Sequence, residues 1–363
     1  MESKYWSDMY ISQSLNDDGK FIISKEVPVK FEDDKKVVIS EGIQESEYEE
    51  VSHFYQKYNR MSTGNITLMT VDDLKRHLIL PNISLLMRSA NGMLIGTIIS
   101  ILLPVKNRND ITEQIIMHGC TTFLAVHPGL RKMGLCMALI RRLIEIGYER
   151  KMYCDYHMVS FPIGSNSIKI SSWYRPINMG RSKELGFLYD GFRDPRNSTK
   201  VRLKYTTKLQ PNHTYIIVGP NNINVSLKYY KSIIKDSKFA FWPNKDLWSQ
   251  WVTSFPTYLI YKGDKIVGVV SINTVYCVIE KSQEMGRILF PIICNGEMES
   301  VMPVVCSIAN DLKYDVVYFH EHGSVTEDAL GKINAIQTNT KLFFSLYNNQ
   351  ILLNQTDIDV PLL

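Results

Sequence analysis

The spacing of apolar residues changes period at one place that carries chemistry. Phe123, Leu124, Ala125 and Val126 form an unbroken apolar run, which predicts the end of a buried strand. From Leu135 the apolar positions recur at helical spacing (Leu135, Leu139, Leu143, Ile146), which predicts an amphipathic helix running to Lys151. Between the two, His127 to Gly134 holds two cations, Arg131 and Lys132, and two glycines. A basic, glycine-containing turn that opens a helix suits a phosphate group. The first helical N–H groups have no partner within the helix, and its dipole favours an anion there.

The same order of patterns occurs twice. The stretch from Ser84 reads as strand, turn and strand, with Asn91-Gly92 at the turn, and the stretch from Thr257 reads the same way around Gly263-Asp264. Leu94-Ile95-Gly96 matches Ile266-Val267-Gly268 just beyond each turn. A helical stretch precedes each hairpin, Glu45 to Tyr58 and Leu227 to Lys235. An apolar strand follows each, Ile115 to Val126 and Ile288 to Cys294, and then a helix, Leu135 to Lys151 and Ser300 to Leu312. Two units about 170 residues apart point to a duplicated α/β unit rather than a solenoid of short repeats. A polar connector between Val201 and Asn212 sets the boundary, giving halves 1–205 and 206–363. The second strand-to-helix junction, Asn295 to Glu299, carries two carboxylates and no cation. It would repel a phosphate, which leaves the second half for another substrate.

Composition narrows the classes. At 363 residues with a net charge of +4, the chain has room for two ordinary domains and no basic excess that would mark a nucleic-acid or membrane-surface protein. The six cysteines are scattered in apolar stretches without a C-x-x-C pair, as expected of reduced thiols in a cytoplasmic protein. Met93 to Val105, the longest apolar run, is too short to span a bilayer, so no stable membrane insertion is expected. His320-Glu321-His322 places two imidazoles on one face of a strand, but no third ligand follows at a known zinc spacing, so no metal is expected.

Particular residues carry a family resemblance. Arg131-x-x-Gly134-x-Cys136 resembles the R/Q-x-x-G-x-G/A loop of the GNAT acyltransferase superfamily. Phe123-Leu124-x-Val126-His127-x-x-Leu130-Arg131 resembles the F-L-C-V-H-x-x-L-R segment of N-myristoyltransferases, and Trp173-Tyr174-Arg175-Pro176-Ile177-Asn178 resembles their W-H-R-S-L-N. Glu184 and Phe187 continue that match. Lys4-Tyr5-Trp6-Ser7 is similar to the family's K-F-W-x segment, and Leu346-Tyr347-Asn348 to its L-Y-N, shortly before Val360-Pro361-Leu362-Leu363.

The resemblance implies a tandem GNAT-like α/β fold: two similar mixed-sheet halves flanked by helices, acyl-CoA in the first and peptide mostly in the second. It implies transfer of a long-chain acyl group, myristoyl, from acyl-CoA to the N-terminal glycine of proteins. Acyl-CoA would be a co-substrate, with no further cofactor, in a monomeric cytoplasmic enzyme. It places an oxyanion hole at the amides of Phe123 and Leu124. The coenzyme would meet Lys4, Tyr5, Trp6 and Val126, then Arg131, Lys132 and the amides of Met133, Gly134, Leu135, Cys136 and Met137. The proton acceptor would be the carboxylate at Leu363. Tyr189, Ser271 and Glu321 fall at peptide-contacting positions.

The chain also departs from the family. Thr122 replaces an Asn, His157-Met158 replaces a Tyr-Thr, and the Tyr58 to Thr63 stretch lacks the family's carboxylates that favour lysine in the peptide. His157 is therefore a second candidate base. Two alternatives stay open: an acyltransferase of different acyl or lysine specificity, and a binder of acyl-CoA or acylated peptides with impaired catalysis.

Overall fold

The structure is a computed structural model that describes residues 37–58, 65–109, 112–160, 162, 167–187, 205, 210–279, 285–349, 351 and 353–363. The first half runs β1 (Val37–Glu41), α1 (Tyr48–Tyr58), β2 (Asn65–Leu68), α2 (Val71–Leu78), β3 (Asn82–Ser89), β4 (Leu94–Arg108), β5 (Glu113–Val126), α3 (Leu135–Glu149), β6 (Cys154–Val159), β7 (Ile168–Pro176) and α4 (Met179–Glu184). The second runs β8 (His213–Ile217), α5 (Ile223–Ile233), β9 (Phe239–Phe241), α6 (Lys245–Ser254), β10 (Thr257–Lys262), β11 (Lys265–Ile279), β12 (Met285–Gly296), α7 (Met298–Asp311), β13 (Val316–His320), α8 (Glu327–Lys332), β14 (Ile336–Tyr347) and β15 (Ile358–Asp359).

Both predicted hairpins form, β3–β4 and β10–β11, and both are followed by the predicted strand and helix. The pattern missed a second helix before each hairpin. Eight-residue α2 is set by a local device: Thr70 Oγ1 accepts from the Asp73 N–H at 3.1 Å, and Asp73 accepts from the Thr70 N–H at 2.9 Å. α5 also begins earlier than expected, at Ile223.

One continuous sheet has the order β1-β3-β4-β5-β6-β14-β7-β13-β12-β11-β10-β8. It reads the same from either end once the halves are exchanged. Its two central strands have changed sides: β14 of the second half pairs with β6, and β7 of the first pairs with β13. Two shorter strands do likewise, β2 pairing with β11 and β9 with β4. The core is held partly by directed bonds. The buried indoles of Trp248 and Trp251 donate to Ser226 Oγ at 2.9 Å and Ser271 Oγ at 3.0 Å. All six cysteines are free, and all but Cys136 are buried.

Burial holds several imidazoles neutral. Burial pushes His77 and His118 down to about 4 and His320 to about 3. Unfolding exposes them to water, where an imidazole takes a proton near pH 6.5. The unfolded chain therefore binds more protons as pH falls below that value, and stability drops until the folded values are passed. Each histidine contributes a slope of about 1.4 kcal/mol per pH unit between pH ~6.5 and ~4. Denaturant midpoints at pH 7 and pH 5 measure this; equal midpoints would refute it.

Candidate active site

The turn between β5 and α3 has the features of an anion site. Gly134 caps α3 in the left-handed region (φ 80°), with open space where a Cβ would project. The first helical bond runs from the Ala138 N–H to Gly134 O at 3.0 Å, so the amides of Leu135, Cys136 and Met137 lie ahead of the helical ladder. Arg131 donates to Tyr58 O at 3.2 Å, and Lys132 is exposed beside it. A chamber of about 550 Å³ lies against Tyr58, Val126, Arg131, Lys132, Gly134 and Cys136. Met133 is exposed, whereas the Met137 side chain is buried, so any Met137 contact with a phosphate is through its amide.

One step back along β5 the strand bulges. Thr122 pairs with Ile99 and Ala125 with Thr97, which leaves Phe123 and Leu124 together opposite Ile98. Phe123 takes a left-handed backbone (φ 53°), a conformation that costs an aromatic residue about 1–3 kcal/mol. Its ring is held edge-on by Tyr55 at 5.3 Å and His77 at 4.8 Å. This packing fixes the backbone at the bulge.

Beside the bulge, β5 and β6 part. Their parallel pairing covers only His118–Cys120 against Cys154–Tyr156. Beyond it lies a second chamber, of about 560 Å³. Ile140, Leu143 and Ile144 of α3 give it an apolar side, and Thr121, Asp155 and His157 a polar one. Leu124 and Cys136 line both chambers and form their common wall. The final segment enters here: the Tyr156 hydroxyl donates to Pro361 O at 3.1 Å, Val360 and Leu362 are buried, and Leu363 lines the chamber.

Asp155 organises the polar side. It accepts from Thr121 Oγ1 at 2.5 Å, Ser100 Oγ at 3.3 Å and His157 Nδ1 at 3.1 Å. Burial raises its carboxyl above the ordinary range, against the pull of the His157 contact. Gly119 packs so tightly on Ser100 and Asp155 that a Cβ there would overlap both. Asp155 is absent from the residues singled out by sequence, although its i, i+2 relation to His157 places both on one face of a strand.

The other predicted residues are dispersed. Ser271 is fully buried, bonded to Trp251 and, at 2.7 Å, to Thr257 Oγ1, and it lines neither chamber. Glu321 accepts from Trp173 Nε1 at 3.2 Å, also away from both chambers. Lys4, Tyr5, Trp6, Tyr189 and Asn59–Thr63 lie outside the described residues. His320 Nδ1 meets Ser172 Oγ at 3.2 Å, and no three metal-ligating side chains converge among the described residues.

The second half repeats the bulge and the parting of strands, with β12–β13 pairing confined to Ile288–Leu289 against Val316–Val317. There the gap is filled. Asn295 Nδ2 donates to Asp359 Oδ1 at 2.7 Å, and Val360 and His322 close in, leaving about 10 Å³. Glu297 at that junction is paired with Lys265.

No family model matches the sequence, and no curated protein does. Solved structures do. Saccharomyces cerevisiae N-myristoyltransferase with bound myristoyl-CoA superimposes with a TM-score of 0.82 at 13% identity, covering 100% of this chain and 95% of that one. The chain has the N-myristoyltransferase fold. A second structure of the yeast enzyme with myristoyl-CoA gives 0.80 at 13% identity, over 97% and 95% of the two chains. A third, with myristoyl-CoA and inhibitors, gives 0.77 at 12% identity, over 97% and 91%. The N-myristoyltransferase fold thus extends over the whole chain, as expected from the paired motifs. No helix among the described residues is long and apolar enough to cross a membrane.

Proposed function

We propose that this chain is an acyl-CoA-dependent N-acyltransferase that moves a long-chain acyl group, myristoyl, to the N-terminal glycine of proteins in the cytoplasm. The observation that carries this reading is the pair of chambers with one common wall. A cationic, amide-rich chamber at a helix N-terminus adjoins an apolar one, and the strand bulge at Phe123 and Leu124 stands between them. A coenzyme with a phosphate at one end and an acyl chain at the other matches that order. Residues 1–205 would supply most of the acyl-CoA site, and 206–363 most of the peptide site.

In this reading the thioester carbonyl rests against the amides of Phe123 and Leu124. These amides are fixed before charge develops and stabilise the oxyanion without reorganising. An acceptor amine of ordinary pKa, about 7.7–8.0, needs only a weak base at neutral pH. The carboxylate that a chain ending at Leu363 carries is one such base, and His157 lies in the same chamber.

The direct test is incubation with clickable myristoyl-CoA and an N-terminal glycine peptide, with mass spectrometry of the purified protein for a retained acyl-CoA. Binding without transfer would identify a binder instead. The apolar side makes a further prediction. Replacing Ile144 with Trp fills part of the chamber and should move the preferred donor to a shorter acyl chain. A competition among acyl-CoAs of graded length checks this. An unchanged preference would place the acyl chain elsewhere.

A further inference from the structure

Forming an amide from an ammonium releases two protons, one before attack and one as the tetrahedral adduct collapses. One carboxylate accounts for only one of them. The apolar chamber contains a second organised proton-accepting group. Asp155 and His157 alternate on β6 and share the face that lines the chamber. Oδ1 of Asp155 accepts from His157 Nδ1 at 3.1 Å, while Oδ2 accepts from Thr121 at 2.5 Å and Ser100 at 3.3 Å. The carboxylate is thus anchored to β4, β5 and β6 at once. An imidazole whose Nδ1–H is taken by a carboxylate has its basic lone pair on Nε2.

We infer that Asp155 is a positioning residue that holds His157 in the Nε2-basic tautomer, as a second proton acceptor for acyl transfer beside the carboxylate at Leu363. This rests on the reading of the chamber as the acyl-transfer site. In a chain ending at Leu363, the first proton passes from the acceptor ammonium to the terminal carboxylate. The neutral amine attacks the thioester carbonyl, so a C–N bond forms. As the C–S bond breaks, the adduct nitrogen gives its second proton to His157 Nε2. The coenzyme leaves as a thiolate and is protonated by the imidazolium, and the terminal carboxylate returns its proton to solvent. Other titratable side chains lining the chamber are Tyr148 near the end of α3, Tyr153 in the turn after it, Tyr347 on β14, Cys154 on β6, Tyr55 on α1 and Cys136 on α3. Burial pushes Tyr347 and Cys154 up, so both stay neutral near pH 7.

The test needs one readout that does not depend on turnover. Histidine-selective ¹⁵N NMR of the full chain at pH 8 should show His157 with its proton on Nδ1. Asp155→Leu should shift that proton to Nε2. A parental His157 already protonated on Nε2 overturns the inference, even if the Leu variant fails to fold. Single-turnover acylation supplies the second arm. Asp155→Asn should slow the chemical step about 10–10²-fold, within the range of acid–base contributions, with acyl-CoA affinity unchanged. Adding His157→Gln should then cost little more, because the two residues act as one unit. Losses that multiply, or a parental rate in Asp155→Asn, overturn the inference alone. A parent with the Nδ1–H tautomer that binds acyl-CoA yet transfers nothing overturns the acyltransferase reading, and the catalytic assignment with it.

Discussion

Two residues appended after Leu363 should cut turnover by about 10²–10⁴-fold, the usual worth of a general base, while acyl-CoA affinity stays nearly constant. The effect is positional. Val360 and Leu362 are buried, and Pro361 O accepts from the buried Tyr156 hydroxyl, so Leu363 is held at the chamber wall. A carboxylate exists there only when Leu363 is the last residue; extension converts it to an amide that takes no proton. Extension is cleaner than deletion, which would also remove apolar packing. Calorimetry with acyl-CoA separates binding from chemistry in the same samples. A parental rate in the extended protein would leave His157 as the base, and His157→Gln should then remove the remaining activity.

The second large effect is expected at the other end of the ligand. Arg131→Ala combined with Lys132→Ala should weaken acyl-CoA binding by at least a hundredfold. Charge-assisted contacts are worth about 1.5–3 kcal/mol each, and two of them act on one phosphate cluster. The residual binding should also depend less on salt, since the screened interaction is the one removed. Among the described residues Arg131 bonds to main-chain oxygens, those of Tyr58 and Val126, and to no carboxylate that would compete with a phosphate. Titrations at two ionic strengths measure both quantities. Unchanged affinity would remove this loop from the coenzyme site.

These residues were legible because their information is local. A period change marked the strand end and helix start, and Gly134 with two neighbouring cations marked the candidate anion site between them. The repeated hairpins revealed the duplication for the same reason. Long-range pairing has no such signature. Nothing in the alternation of β14 tells that it lies between β6 and β7, because a strand buried in its own half reads like one buried in the other. Ser271 shows the same limit on a smaller scale. Its place along the strand suggested a peptide contact, yet Trp251 and Thr257 take up its hydroxyl. Asp155 was overlooked because its importance comes from Thr121 and Ser100, brought to it by two other strands.

The strand exchange also bears on synthesis. β6 and β7 flank β14 at the middle of the sheet, and about 180 residues separate the end of β6 from the start of β14. At ~5–20 residues per second a ribosome takes on the order of ten to forty seconds to make that stretch. For that interval the facing edges of β6 and β7 have no native partner, a template for pairing with other nascent chains. Maturation is therefore a late event, and the N-terminal half made alone should be captured by chaperones or aggregate rather than fold into a working coenzyme site.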